Sequence, residues 1–175
     1  MQSILKKITI VRYEAKYKDD WDNFCTNERE AWFWHTTDRI EHALAIAGKS
    51  GNNQSFFIKL NNEIIAVSPL IVSKDANKNH VITHSGWGTP TPIVSRSLSI
   101  SNRKKIRNLV YEEIDKISLN CNVCKTLLSR FPQIINLDND YFYNDLIEFG
   151  YMNASIYTSI VDLRKSEKII FSKLR

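Results

Sequence analysis

No stretch of this sequence stays apolar for long. The only early hydrophobic run, Ile8 to Val11, is far too short for a signal-peptide core or for the roughly 20 residues of a membrane-spanning helix. Cysteine is scarce and odd in number: Cys25, Cys121 and Cys124, without a secretion signal, suit a reducing compartment, and a cytoplasmic protein is expected. Cys121-Asn-Val-Cys124 is formally a CxxC pair. No second cysteine or histidine pair stands at zinc-finger spacing to complete four ligands, so a structural or inert role is set against redox or metal chemistry. The chain also lacks a long basic run. Lysine and arginine exceed the acids by 24 to 19, and the resulting +5 and pI near 9.1 favour an anionic small partner or a membrane surface over DNA. Internal repeats, low-complexity tracts and any identifiable Ser-His-Asp, metal-ligating or paired-carboxylate constellation are absent as well.

What is present suffices for one globular domain: 175 residues, 43% of them hydrophobic, bury one good core and not two. Ile8 to Tyr13 reads as a strand, and Lys18 to Arg29 as a short helix around Trp21 and Phe24. After Ala31-Trp-Phe-Trp-His35, Thr36 or Thr37 caps a helix with Ile40, Leu44 and Ala47 on one face, and Gly48 stops it. Ser55 to Leu60 and Glu63 to Val72 are β-rich runs joined at Asn61-Asn62, residues that tolerate the positive φ of a tight turn. A further strand spans His80 to His84, and Ser85-Gly-Trp-Gly-Thr-Pro-Thr-Pro92 is expected to be an irregular loop. Ser101 or Asn102 then caps the clearest helix, with Ile106, Leu109, Val110, Ile114 and Ile117 along a buried stripe. Asn122 to Leu128 is a strand, and Asp138 or Asp140 opens a helix that turns Phe142, Leu146 and Phe149 inward and ends at Gly150. A last strand, Thr158 to Leu163, leads to Ser166 and Glu167, which open a helix carrying Ile170 and Leu174 on one face. That helix has no stop signal before Arg175, and a short helix with an uncovered apolar stripe is marginal by itself. The chain is therefore expected to be the front part of a longer protein, with residues 1–163 as one domain and 164–175 as the start of a second domain or a docking helix.

Strand, two helices, three strands, helix, strand, helix, strand is the order of a GNAT acyltransferase domain. The expected fold class is α/β (α+β), a mixed, mostly antiparallel sheet flanked by helices. Trp32-Phe-Trp-His-Thr36 before a helix, Phe56-Phe-Ile with Ile64-Ile-Ala66 and Ser68-Pro-Leu70, and Ser85-Gly-Trp-Gly-Thr-Pro-Thr-Pro-Ile-Val94 resemble the opening of FemAB-like proteins. These are bacterial acyl or aminoacyl transferases of the cell envelope. Leu146-Ile-Glu-Phe-Gly-Tyr151 with Thr158-Ser-Ile-Val-Asp-Leu163 is similar to that family's passage from a first GNAT domain into a second. The resemblance covers nearly the whole chain through short motifs. It implies a tandem pair of GNAT-like domains, with this half supplying scaffold and one wall of an acceptor site. The acceptor would be a small-molecule, lipid-linked or nucleotide-linked amine. The donor, acyl-CoA or aminoacyl-tRNA, would serve a full-length protein, with no cofactor bound by this chain and a second GNAT-like domain or another copy as partner.

A single-domain GNAT acetyltransferase is the alternative, and a silent binding module a third reading. Such an acetyltransferase cradles the CoA pyrophosphate on backbone N–H groups of a Gln/Arg-x-x-Gly-x-Gly/Ala loop opening a helix. The only Gly-x-Gly here is Gly86-Trp-Gly88, placed after the fourth strand; Thr83 stands where Gln or Arg is expected, and Pro90 and Pro92 postpone the helix. Candidate substrate-binding residues are Trp34, His35, Thr36, Trp87 and Arg130. His35 either lines an acceptor pocket as donor or base, or is a structural hydrogen-bonding residue, with Thr36 a cap and Trp34 core. His84 carries the same two readings, while His42 and His80 read as surface or packing residues. Trp87, between two glycines, either stacks on a substrate or packs on an adjoining domain. Arg130 points into a cleft or pairs with a carboxylate, and Arg103, Lys104, Lys105 and Arg107 either meet phosphates or form a solvated face. No catalytic residue is assigned.

Overall fold

In the computed structural model, which describes residues 8–83, 88–130, 145–154 and Lys168, the chain divides into two units, Met1–Phe131 and Pro132–Arg175. In the first unit, β1 (Ile8–Arg12) pairs antiparallel with β3 (Phe56–Leu60), which pairs with β4 (Glu63–Ser68). The turn between them is Asn61-Asn62, with φ of 52° and 71° as anticipated. The short β8 (Ile93–Val94) closes this sheet beyond β4.

A second sheet runs β2 (Asn52–Asn53), β5 (Ile71–Lys74), β6 (His80–Ile82) and β9 (Val123–Thr126), with β6 and β9 parallel. A parallel pair of β7 (Thr89–Pro90) with β10 (Leu128–Ser129) follows the β6–β9 pair. The expected continuous strand from Glu63 to Val72 is thus broken at Pro69, which has no N–H to give to a ladder. Side chains and loops repair the break: Leu70 N–H donates to Ser55 Oγ at 2.9 Å, and Thr89 Oγ1 donates to Pro69 O at 2.9 Å.

Helix α1 (Lys18–Asn27) and helix α2 (Thr37–Ala47) cover the sheet with Trp21, Phe24, Cys25, Ile40 and Ala43 against Phe57, Val67, Ile71 and Ile93. Tyr13 and Phe57 meet Trp21 edge-on, with ring centroids at 5.2 and 6.2 Å. Gly48 ends α2 at φ 56°, as its composition predicted.

Helix α3 (Ile100–Asn120) begins earlier than expected, capped by Ser99 rather than Ser101 or Asn102; Ser99 Oγ accepts from Asn102 N–H. Ile106, Val110, Ile114 and Ile117 are buried along it, but Tyr111 joins them where Leu109 was expected, because the buried face lies slightly to the Tyr111 side of the stripe. In the second unit, Asp145–Phe149 forms a 3-10 turn with Leu146 buried, and Gly150 ends it at φ 82°. The anticipated helix start at Asp138 or Asp140, Phe142, the strand Thr158 to Leu163 and the tail stripe lie outside the described residues.

Candidate functional site

The strand that returns along β4 and β5 carries an inserted loop. Val72 faces Ile82, and six residues back Ala66 faces Val94, twelve residues on, so the returning strand holds six extra residues. They leave and rejoin at one residue: Leu127 N–H donates to Ile82 O at 2.8 Å, and Leu127 O accepts from Thr89 N–H at 2.8 Å. The extra residues fall between Ile82 and Thr89, where 84–87, including His84 and Trp87, lie outside the described residues. Gly86 and Trp87 of the Gly-x-Gly candidate lie outside the described residues, and Gly88 stands directly before β7. Regular pairing resumes at Thr89–Pro90 and Ile93–Val94, which corrects the expectation of an irregular loop up to Pro92. Gly88 holds φ 87°, and a Cβ there would lie 2.5 Å from Ser129 Oγ, so the rejoining point needs glycine on both counts.

The strand's passage into a helix is instead Ser95-Arg-Ser-Leu-Ser99, which has no glycine. This turn already holds a carboxylate. Glu28, just past α1, accepts from Ser95 Oγ at 2.5 Å and from Arg96 N–H at 3.3 and 3.2 Å on its two oxygens. Arg103, in the first turns of α3, pairs with Glu30 at 3.6 Å. Two acids from the connection after α1 thus answer the polar and basic groups at the start of α3.

His35 is buried at 1% exposure, on a 3-10 turn, Phe33–His35, that leads into α2. Its Nδ1 accepts from Trp32 N–H at 3.3 Å, so the proton sits on Nε2, which donates to Thr91 O at 2.9 Å. Its carbonyl accepts from the Trp21 indole at 2.7 Å and the Cys25 thiol at 3.5 Å. Burial drives the imidazole down to about 4, so the ring is neutral near pH 7. With both nitrogens engaged, its geometry is that of a strut tying α1 and the α2 entrance to the segment between Pro90 and Pro92.

Thr36 sits at the N-cap of α2 but its hydroxyl donates back to Phe33 O at 2.8 Å. The cap comes from elsewhere in the sequence: Asp22 accepts from Thr37 N–H at 2.9 Å and from Thr37 Oγ1 at 2.5 Å.

Trp34 lies under a guanidinium, with Arg39 Cζ 4.0 Å from its ring centroid. Arg39 is 6% exposed and donates from Nη1 to His42 Nδ1; its Nε is buried without a hydrogen-bond partner. Trp34 and Arg39 line a niche of about 10 Å³, room for one water, completed by Pro69, Thr83, Thr89 and Pro90. Thr83 Oγ1 is likewise buried without a hydrogen-bond partner. The niche lies where the parallel strands β6 and β9 end, at Ile82 and Thr126.

Of the sequence candidates, Trp34, His35 and Thr36 share one short segment, and among the described ones Trp34 alone lines the niche. Arg130 is half-buried just past β10. Arg39, Thr83 as a niche residue and Glu28 were missed. Arg39 had one signal, its place four residues before buried Ala43, hence on the inward face of α2. Among the described residues no group of three or more His, Cys, Asp or Glu is arranged to hold a metal, and no helix is long and apolar enough to cross a membrane.

No family model matches the sequence, and no curated protein is significantly similar to it. Solved structures are similar in fold. An aminoglycoside N-acetyltransferase AAC(6')-Iy in complex with CoA superposes with a TM-score of 0.55 at 10% identity, over 89% of this chain and 95% of that one. Glucosamine-6-phosphate N-acetyltransferase from Arabidopsis thaliana gives 0.52 at 15% identity, over 87% and 97%. Ribosomal-protein-alanine N-acetyltransferase from Brucella melitensis biovar Abortus 2308 gives 0.52 at 9% identity, over 89% and 99%. The chain has the GNAT acetyltransferase fold, a mixed, mostly antiparallel sheet flanked by helices.

Proposed function

We propose that this chain is a GNAT-type N-acyltransferase domain that serves transfer of an acyl group from coenzyme A to an amine. One observation carries the reading: within this fold a niche holding a buried arginine on an indole lies beside the carboxyl end of β6, which pairs in parallel with β9. In such a reaction the protein holds the amine against the thioester carbonyl, and its groups need only align and polarise them. Trp34 and Arg39 form the acceptor wall, while His35, both nitrogens engaged, supports that wall from beneath. A cytoplasmic setting belongs to this reading. The test is release of free CoA thiol from acetyl-CoA in the presence of a panel of amines, with the acylated product identified by mass. Amine-dependent release supports the reading; none with any amine, and no acetyl-CoA binding by calorimetry, overturns it.

A second reading is favoured by Glu28. A strand-to-helix turn filled by its own carboxylate is ill suited to a pyrophosphate, which supports a tandem, FemAB-like arrangement in which another GNAT-like domain holds the donor. The donor is then acyl-CoA or aminoacyl-tRNA and the acceptor an amine of a cell-envelope precursor, with Trp34, Thr36, Trp87 and Arg130 on the acceptor side. The coding sequence past the Arg175 codon tests this. An open frame of another domain's length supports it, and a stop codon removes it.

A further inference from the structure

We propose that the niche of Trp34, Arg39 and Thr83 is a subsite for an anionic group, a carboxylate or phosphate, of a small ligand. Arg39 is buried as a residue and its Nε is shut off from solvent, and a buried donor is costly unless an anion or another acceptor compensates. Neither is in place among the described residues. Arg39 has the Trp34 face and one histidine nitrogen, and no carboxylate among the described residues lies within ion-pair distance of it. Burial alone lowers its proton affinity, with no neighbouring acid to offset the loss.

Two unmatched donors belong to residues of one niche. Arg39 Nε and Thr83 Oγ1 are both buried without a hydrogen-bond partner, and both residues line the same opening. A flat guanidinium pinned on an indole with its Nε–H unpaired has a donor to offer, and a carboxylate or phosphate oxygen is the group that such a donor binds best. Pro69 and Pro90, which have no N–H to offer, hold the walls without competing for it. Since the niche has room for about one water, a single oxygen of the anionic group enters it and the rest of the molecule lies outside.

Anion binding here does not depend on the acyl-transfer reading. One extension does rest on it: the acceptor then carries an anionic group beside its amine, as an amino acid or an amino-sugar phosphate does.

The experiment is NMR of the arginine Nε–H resonances of the ¹⁵N-labelled chain during titration with inorganic phosphate and, separately, with acetate, at constant ionic strength. Arg39 is assigned as the resonance missing in Arg39→Lys. Expected is a saturable shift of the Arg39 signal with either or both ions, weakened several-fold in Thr83→Val, which removes only the hydroxyl. The stronger ion identifies the class of ligand group. An Arg39 signal that moves no more than those of exposed arginines overturns the proposal, as does unchanged affinity in a folded Thr83→Val. Saturable binding without acyl transfer to any amine keeps the subsite and removes the enzymatic reading. Acyl transfer indifferent to an anionic group on the amine removes the extension alone.

Discussion

Ser95 donates its hydroxyl hydrogen to the Glu28 carboxylate at 2.5 Å, across 67 positions of sequence. The bond places an internal anion where β8 leads into α3, a strand-to-helix location whose N–H groups attract phosphates in other proteins. Two Glu28 oxygens also take the Arg96 N–H, so the turn is satisfied without any ligand.

Glu28→Ala empties that turn. It is expected to cost about 2 kcal/mol of stability for the lost charge-assisted bonds and to raise affinity for CoA by roughly tenfold, or about 1.4 kcal/mol. Denaturant unfolding and calorimetry with CoA measure the two effects. CoA affinity that stays flat or drops shows that the turn is not an anion site.

His35 makes stability depend on pH. Its folded value near 4 lies below the roughly 6.5 of an unfolded histidine, so the unfolded chain binds the extra proton first as pH falls. The contribution is intact above about pH 6.5 and fades toward pH 4, a loss on the order of 3 kcal/mol. Urea midpoints at pH 7 and 4.5 show it, and a folded His35→Gln variant with the same pH slope as wild type contradicts it.

The three thiols differ in reach. Cys25 is buried, donates to His35 O and is pushed up to about 12 by desolvation, whereas Cys121 is half-buried and Cys124 exposed. Iodoacetamide at pH 8 is expected to label Cys124 first and to spare Cys25 until urea unfolds the chain, as peptide mapping by mass would show. Early labelling of Cys25 speaks against this packing.

Asp22→Ala removes the borrowed cap of α2 and is expected to cost about 1–2 kcal/mol, with Asp22→Asn recovering part of it. Equal unfolding free energies for Asp22→Ala and wild type would mean that Thr36 or solvent supplies the cap.

Gly88→Ala combines a strained φ of 87° with a Cβ 2.5 Å from Ser129 Oγ and 3.0 Å from Leu127 O. A loss on the order of 3 kcal/mol is expected in thermal or urea unfolding. Ser129→Ala in the same chain should return part of it by relieving the closest contact.

Periodicity and turn chemistry determined most of the local structure. The stripe of α3, the Asn61-Asn62 turn and the Gly48 stop depend on residues a few positions apart, which the sequence displays directly. The same patterns, taken in order, were enough for the GNAT fold class. What only the tertiary structure decided are the relations between distant residues. The six-residue excursion is visible only once β4 and β5 are set against the returning strand, because its register is counted across two strands. The Asp22 cap, the Glu28 carboxylate at Ser95, and Arg39 facing the niche beside Thr83 each join side chains far apart in sequence. No local pattern marks such partners, since a buried polar group is satisfied by whichever side chain packing brings to it.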